Sequence, residues 1–186
     1  MAEMGGFSRW RINRRTERRA QRVMSELEPR LRIGSDQRVL ELGVGGGGLL
    51  ALLYEKYHPA GIVGTDFDSR EVEAAGKYLS GRLGSLPPSI ELRQADALRL
   101  PFPDRSFDFV FAMMMLHHVE ARHREYKNRP RALAEIRRVL RPGGSLVYSE
   151  MTGRAEVRQT LFELGFAQQF YRSTRRNDLA IYGAPS

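Results

Sequence analysis

The sequence predicts an α/β protein with a doubly wound sheet of seven strands, mostly parallel, that ends in an antiparallel hairpin. Three observations support this fold class. Short apolar stretches alternate with helical stretches, glycines follow the first apolar stretch, and two strand-like segments flank the polar turn 173–178. Alternating strands and helices are typical of a parallel sheet with helices on both faces. Such sheets bind ligands at the carboxyl ends of their strands, where the strand order reverses.

The first predicted element is a helix over residues 12–32. Its apolar side chains follow the spacing of one helical stripe: Ala20, Val23, Met24, Leu27 and Leu31. Arginines occupy another face of the same helix: Arg11, Arg15, Arg18 and Arg22. Gly34 and Ser35 then interrupt the pattern. We therefore interpret residues 1–35 as a basic amphipathic arm and residues 36–186 as the main domain.

Five strands and four helices are predicted next, followed by the hairpin. The strands are expected at residues 38–42, 61–66, 90–94, 107–113 and 145–150. The helices are expected at residues 48–56, 69–83, 130–140 and 156–164. Pro142-Gly143-Gly144 predicts a turn before the fifth strand, and Gly165 predicts a helix end. The hairpin strands are expected at residues 166–172 and 179–182.

The charge of the chain is unevenly distributed. The formal net charge is +8, and 27 of the 30 basic residues are arginine. Residues 1–32 carry +5, residues 33–118 carry −3 and residues 119–186 carry +6. The absence of cysteine excludes disulfides, cysteine-ligated zinc and a cysteine nucleophile. Because no apolar run reaches about 18 residues and no apolar leader opens the sequence, we expect a cytoplasmic protein, with peripheral contact to a membrane as a further option.

A glycine-rich loop after the first strand carries the strongest local signal. Glycines allow a sharp turn and close approach of the backbone to a ligand, and the next helix offers free N–H groups at its start. Two motifs fit this loop: Gly43-x-Gly45-x-x-Gly48 for a dinucleotide, and Glu41-x-Gly43-x-Gly45-x-Gly47 for S-adenosylmethionine (SAM). Asp66, at the end of the second strand, suits the ribose of either cofactor. The loop alone therefore leaves NAD and SAM open.

Further motifs follow the loop in an order that points to one family. They are Gln94-Ala95-Asp96-Ala97, Leu100-Pro101-Phe102-Pro103, Ser106-Phe107-Asp108, and the segments 110–118 and 135–144. In this order and spacing, residues 38–150 closely resemble the class I SAM-dependent methyltransferases, especially the branch with the quinone-biosynthesis and other small-molecule enzymes. The resemblance implies a Rossmann-like fold, SAM as cofactor and S-adenosylhomocysteine (SAH) as product. An NAD enzyme would need its own catalytic set, and no Tyr-x-x-x-Lys pair is present.

The resemblance assigns residues to the methionine half of the cofactor. Glu41 matches the acid near the methionine ammonium. The glycines of the loop match the backbone that passes under the methionine and the ribose: Gly43, Gly45 and Gly47. Met113, at the end of the fourth strand, would line the methionine part of the pocket. The acidic charge of this part of the chain suits a cationic cofactor.

The resemblance also assigns residues to the nucleoside half. Asp66 matches the acid that binds the ribose hydroxyls, and Phe67 would lie against the adenine. Asp96 matches the residue that accepts a hydrogen bond from the adenine amino group, and the backbone of Ala97 would contact the ring. As single acids, Asp66 and Asp96 could equally be loop residues or helix caps.

Two histidines are the candidates for catalysis. Methyl transfer from a sulfonium needs alignment and exclusion of water above all, and a hydroxyl, phenol or protonated amine acceptor also needs a general base. His117 and His118 directly follow the fourth strand, and histidine titrates near neutral pH. Alternatively, either histidine packs in the pocket or caps the next helix. We predict no metal site, because no further ligands converge on them.

The acceptor is less well defined by the sequence. The connection 151–153 is short, so a lid over the substrate would have to come from residues 1–32, residues 116–130 or a partner. The basic flanks fit an anionic membrane surface, an anionic substrate or nucleic acid. We expect a small or lipid-like acceptor, such as a phospholipid or a quinone precursor. The alternatives are an RNA methyltransferase, disfavoured because no Asn-Pro-Pro-Tyr motif follows the fourth strand, and a non-catalytic SAM-binding regulator. The sequence does not define an oligomeric state.

Overall fold

The computed structural model of the chain describes residues 17, 18, 20–123 and 128–186, with the side chains of 120–123 left aside. Seven strands form one sheet: β1 Arg38–Leu42, β2 Gly61–Asp66, β3 Ile90–Gln94, β4 Phe107–Met113, β5 Leu140–Glu150, β6 Ala167–Ser173 and β7 Asp178–Gly183. Their order across the sheet is β3-β2-β1-β4-β5-β7-β6. The first five strands are parallel, and β7 runs antiparallel to both β5 and β6. The predicted fold class is confirmed.

Helices cover both faces of this sheet. Residues 20–27 are helical and are labelled α1; the later helices are α2 Gly48–Tyr57, α3 Ser69–Leu83, α4 Leu116–His123, α5 Asn128–Val139 and α6 Arg154–Glu163. Helix α4 was not predicted. In the described ranges, no helix combines the length and the apolar composition that crossing a membrane requires.

The C-terminal end of the first predicted helix is wrong. A 3-10 turn, Glu28–Arg30, follows α1, and Leu31 is already extended with φ −91° and ψ 135°. Pro29 explains the change, because proline lacks the N–H that an α-helix needs and its ring crowds the preceding turn. Residues 12–16 of the predicted helix lie outside the described residues.

The predicted turn before the fifth strand is a bulge within β5. Phe107 pairs with Leu140 and Phe109 pairs with Ser145, so residues 141–144 are accommodated between two successive ladder positions. Gly143 has φ +75°, and a Cβ on Gly144 would lie 2.9 Å from the carbonyl oxygen of Asp108. The two glycines therefore allow β5 to pair with β4 at Leu140, to bulge out over residues 141–144, and to resume the pairing at Ser145.

The core lies on the two faces of the sheet, because successive side chains of a strand point to opposite sides. Leu40 and Val110 are buried in the cluster on one face, and Val39 and Phe109 are buried in the cluster on the other. Strands that are apolar on both sides form only where helices cover both faces, which is the arrangement of a doubly wound sheet.

Helix α1 packs its apolar stripe against the second of these clusters. Met24, Leu27 and Leu31 are buried there, whereas Arg22 on the other face of the helix is exposed. The apolar stripe is thus buried in the core, and the arginine face of the described part of the helix is exposed to solvent. The division of the chain at residue 35 stays a prediction.

Candidate active site

A cavity of about 510 Å³ opens at the carboxyl ends of β1, β2 and β4. This volume lies in the range of roughly 300–1,000 Å³ that is usual for small-molecule sites. Almost all the predicted cofactor residues line it: Glu41, Gly43, Gly45, Asp66, Phe67, Asp96, Ala97 and Met113. Gly47 of the same loop does not line the cavity; an added Cβ there would be 3.3 Å from the backbone of Ala75 in α3, so Gly47 allows the loop to pack closely on α3.

Two segments outside the strand ends complete the wall of the cavity. Ala20 and Val23 of α1 line one side, and Met115, His118 and Val119 line another. Both chain segments that the sequence offered as a lid therefore contribute to the wall.

The glycine loop adopts the backbone conformations that its composition predicts. Gly43 and Gly45 have φ values of +75° and +47°, which side chains other than glycine rarely tolerate. A Cβ on Gly43 would lie 2.8 Å from the Cβ of Met115, whereas a Cβ on Gly45 would meet nothing within 4 Å. Gly43 is therefore needed for packing of the wall, and Gly45 leaves its space to a ligand.

Gly43→Ala is expected to lower the free energy of unfolding by about 3 kcal/mol, because a left-handed backbone and an overpacked contact each cost a few kcal/mol. Gly143→Ala is the matched control, because Gly143 has the same φ of +75° but nothing within 4 Å of its added Cβ. The control should lose about 1 kcal/mol. Urea denaturation measures both, and equal losses would contradict the packing role of Gly43.

Asp66 is held at the junction of β2 and the glycine loop. Its Oδ2 accepts the N–H of Gly45 at 3.2 Å, and its Oδ1 accepts the N–H of Asp68 at 3.1 Å. These bonds fix the carboxylate in the cavity wall and leave further lone pairs for a ligand. Phe67 follows directly and is 44% exposed, and its carbonyl accepts from Gln94 Nε2 at 2.9 Å. An acid next to an exposed aromatic ring is suited to a nucleoside.

Asp96 lies beyond the end of β3 and forms its own turn. Its Oδ1 accepts the N–H of Leu98 at 2.9 Å, and its carbonyl accepts the N–H of Arg99 at 3.0 Å. The local turn uses part of the carboxylate, and the residue still lines the cavity together with Ala97. The loop-acid and ligand-binding interpretations of Asp96 are thus compatible.

Glu41 is the least solvated acid of the site. It lies in β1 with 4% exposure, and its Oε2 has no hydrogen-bond partner among the described residues. Burial, and to a smaller extent the charge of Asp66, raise the pKa of Glu41 well above its usual value near 4.5, against a smaller lowering by a backbone hydrogen bond from Leu50. A buried acid with an unused oxygen in a cavity wall is a site for a cationic group.

The two predicted catalytic histidines have different surroundings. His118 is exposed and lines the cavity, whereas His117 does not line it. The Nδ1 of His117 lies 2.8 Å from Oε1 of Glu150, and the two histidine ring centroids are 4.0 Å apart. The structure thus brings His118 to the candidate site and ties His117 to a buried acid.

Sequence reasoning missed part of the wall at the end of β5. Ser149 lines the cavity, and its Oγ accepts from Nδ2 of Asn177 in the final hairpin at 2.9 Å. Glu150, the last residue of β5, is fully buried. Both stand at the carboxyl end of a predicted parallel strand, and that position was the available signal.

A family model described as a methyltransferase domain matches residues 40–148. The chain belongs to this methyltransferase family. Membership confirms the predicted family and makes SAM the cofactor, so the NAD alternative is set aside. The match begins in β1 and ends in β5, one residue before the cavity residue Ser149.

Two curated relatives carry more specific names. The phthiotriol/phenolphthiotriol dimycocerosates methyltransferase of Mycobacterium leprae is 38% identical over 72% of this chain and 44% of its own length. The demethylmenaquinone methyltransferase of Deinococcus radiodurans is 36% identical over 62% of this chain and 44% of its own length. The matched part thus spans less than half of each of these two methyltransferases.

The fold of this chain is similar to that of solved structures. A methyltransferase solved in complex with the Haloferax volcanii Trm112 methyltransferase activator has a TM-score of 0.76 and covers 94% of each chain. At 19% identity, this likeness shows the fold alone.

The residues of the cavity fit SAM. The unused oxygen of buried Glu41 suits the ammonium group, and Asp66 has acceptors for the ribose hydroxyls. Gly45 leaves open space above the loop, and Phe67 offers an exposed aromatic face. These residues would hold the cofactor, which would supply an activated methyl group.

Proposed function

We propose that the chain transfers the methyl group of SAM to a hydroxyl group of a lipid-like acceptor of the quinol or phenol type. The observation that carries the proposal is the mixed lining of the cavity. It combines the acids and glycines suited to a cationic cofactor with the apolar side chains Met114, Met115 and Val119. When bound, SAM supplies a methyl group that is already activated by its sulfonium. The protein then has to align the acceptor and exclude water.

The acceptor class is inferred from the apolar wall and from the relatives. Methionine adapts to irregular apolar ligands, and three methionines line the wall: Met113, Met114 and Met115. The relatives' names refer to a phenolphthiotriol lipid, which carries hydroxyl groups, and to demethylmenaquinone, which is an apolar quinone. His118, which also lines the cavity, is the proposed general base.

The basic surface supports contact with an anionic lipid layer, as a second step of the proposal. Arg18 and Arg22 are exposed, on the helix that lines the cavity with Ala20 and Val23. Because the apolar stripe of α1 is buried in the core, this contact would be electrostatic and would weaken at high salt.

The test is methyl transfer from labelled SAM to a demethylmenaquinol analogue and a phenolic lipid, with total RNA as a comparison. We expect label in the quinol or phenol and no label in the RNA. Label in the RNA with a strong salt dependence would support the RNA methyltransferase alternative instead. Tight SAM binding without transfer to the quinol, the phenolic lipid or the RNA would support a regulator and contradict the proposed reaction.

A further inference from the structure

Glu150 is a second buried acid at the carboxyl ends of the strands, and unlike Glu41 it does not line the cavity. Its side chain is fully buried at the end of β5. Its Oε2 accepts the backbone N–H of His117 at 3.0 Å, and its Oε1 accepts the N–H of Met151 at 2.7 Å. The carboxylate therefore joins the first turn of α4 to the turn after β5, and each of these lies next to a residue of the cavity wall, His118 and Ser149.

The same carboxylate also fixes the ring of His117. Nδ1 of His117 lies 2.8 Å from Oε1 of Glu150. Both oxygens of Glu150 already accept backbone N–H groups, so we assign the hydrogen of this pair to Nδ1 of His117, with Nε2 as the acceptor nitrogen of the ring. The ring of His117 packs against that of His118 at 4.0 Å between centroids, with a tilt of 41°. His118, in turn, lines the cavity.

We propose that Glu150 is a positioning residue that acts through His117 to keep His118 in the wall of the cavity, in reach of the acceptor. The inference rests on the proposed function. In that reaction, His118 takes the proton of the acceptor hydroxyl while the acceptor oxygen forms its bond to the methyl carbon. The electron pair of the broken carbon–sulfur bond stays on sulfur, and the positive charge passes to the imidazole. Glu150 is fully buried and contacts this pair of rings through Nδ1 of His117.

Glu150→Gln tests the proposal, because an amide places N–H groups where the carboxylate only accepts. We expect kcat with the quinol acceptor to fall by about 10- to 100-fold, as for other losses of alignment, with little change in KM. The second readout needs no activity. In ¹⁵N NMR of the cofactor-free protein, His117 should be in the Nδ1–H form in the wild type and lose that form in the variant.

Asp178→Asn is the matched control. Asp178 faces Glu150 in the β5–β7 register and is also fully buried, but it binds Arg154 and Arg158 rather than His117. This variant should lose stability while keeping kcat and the Nδ1–H form of His117. An equal loss of kcat in both variants would reduce Glu150 to a structural role and overturn the inference, as would an unchanged kcat in Glu150→Gln with normal SAH binding.

His117→Asn covers the case in which Glu150→Gln does not fold. The asparagine amide can still donate to Glu150, but the ring that packs on His118 is gone. We expect a similar fall in kcat, and a wild-type kcat would overturn the inference. If the wild type methylates no acceptor, the proposed function fails. The NMR readout still decides the inference, because an Nε2–H form of His117 in the wild type would contradict it.

Discussion

Replacing Asp66 with alanine is expected to raise the dissociation constant of SAH by about 100-fold or more. We propose that this carboxylate accepts hydrogen bonds from both ribose hydroxyls, and a hydrogen bond to a charged group contributes about 1.5–3 kcal/mol. The same side chain accepts the N–H of Gly45, so its loss also loosens the loop under the ligand. Calorimetric titration with SAH measures the change.

Two variants separate the ribose contact from general effects of the substitution. Asp66→Asn keeps the shape and one acceptor oxygen, and should lose affinity by about tenfold. Asp104→Ala removes an acid whose side chain is 70% exposed and which pairs with Arg138 away from the cavity; it should leave SAH binding unchanged. Normal SAH binding by Asp66→Ala would show that the ribose assignment is wrong.

Most of the sheet could be predicted because its strands are short apolar runs bounded by glycine, proline or polar residues. The misses have local causes. Helix α4 begins right after the apolar run that includes β4, and its sequence LHHVEARH has no strong apolar periodicity. The bulge of β5 was interpreted as a turn because Pro142-Gly143-Gly144 is typical of both, and only the pairing of Phe109 with Ser145 distinguishes them.

The sequence predicted those site residues that lie at the ends of strands and belong to a motif. Glu41 and Asp66 end or nearly end strands, and a motif marks each of them. Glu150 also ends a strand, but no glycine loop follows it. Its proposed role depends on a contact with His117, a residue 33 positions away in the chain. The different surroundings of His117 and His118 arise from the geometry of α4, which the sequence did not predict.

Glu41→Gln is expected to change stability and cofactor binding in opposite directions. Without ligand, the variant should be more stable than the wild type at pH 8 by about 1–2 kcal/mol, because it removes a buried acid that must ionise. SAH binding should weaken by about 10- to 100-fold, because the amide lacks the charge that faces the ammonium. Thermal unfolding with and without SAH measures both effects, since a ligand stabilises the folded state according to its affinity.

The difference in stability between the wild type and Glu41→Gln should depend on pH. The folded protein holds the pKa of Glu41 above its unfolded value near 4.5, so the neutral form is favoured on folding. The contribution of neutral Glu41 to the free energy of unfolding is complete below the unfolded pKa near 4.5. It is lost as the pH rises toward and through the raised pKa of the folded protein. The wild type should therefore become less stable than Glu41→Gln on going from pH 4 to pH 8, and the two should be similar near pH 4. A constant difference across this range would contradict the burial of an ionisable group.

The effects of Asp66→Ala and Glu41→Gln on stability should depend on each other, and the double variant tests this dependence. The charge of Asp66 is one cause of the raised pKa of Glu41, so Asp66→Ala should lower that pKa and reduce the stability gained from Glu41→Gln. The double variant should therefore show less than the sum of the two changes in unfolding free energy at pH 8. Its losses of SAH affinity should instead add, because the ammonium and the ribose are separate groups of the ligand. Additive stabilities would show that the two carboxylates do not interact, and non-additive affinities would show that they bind the same group.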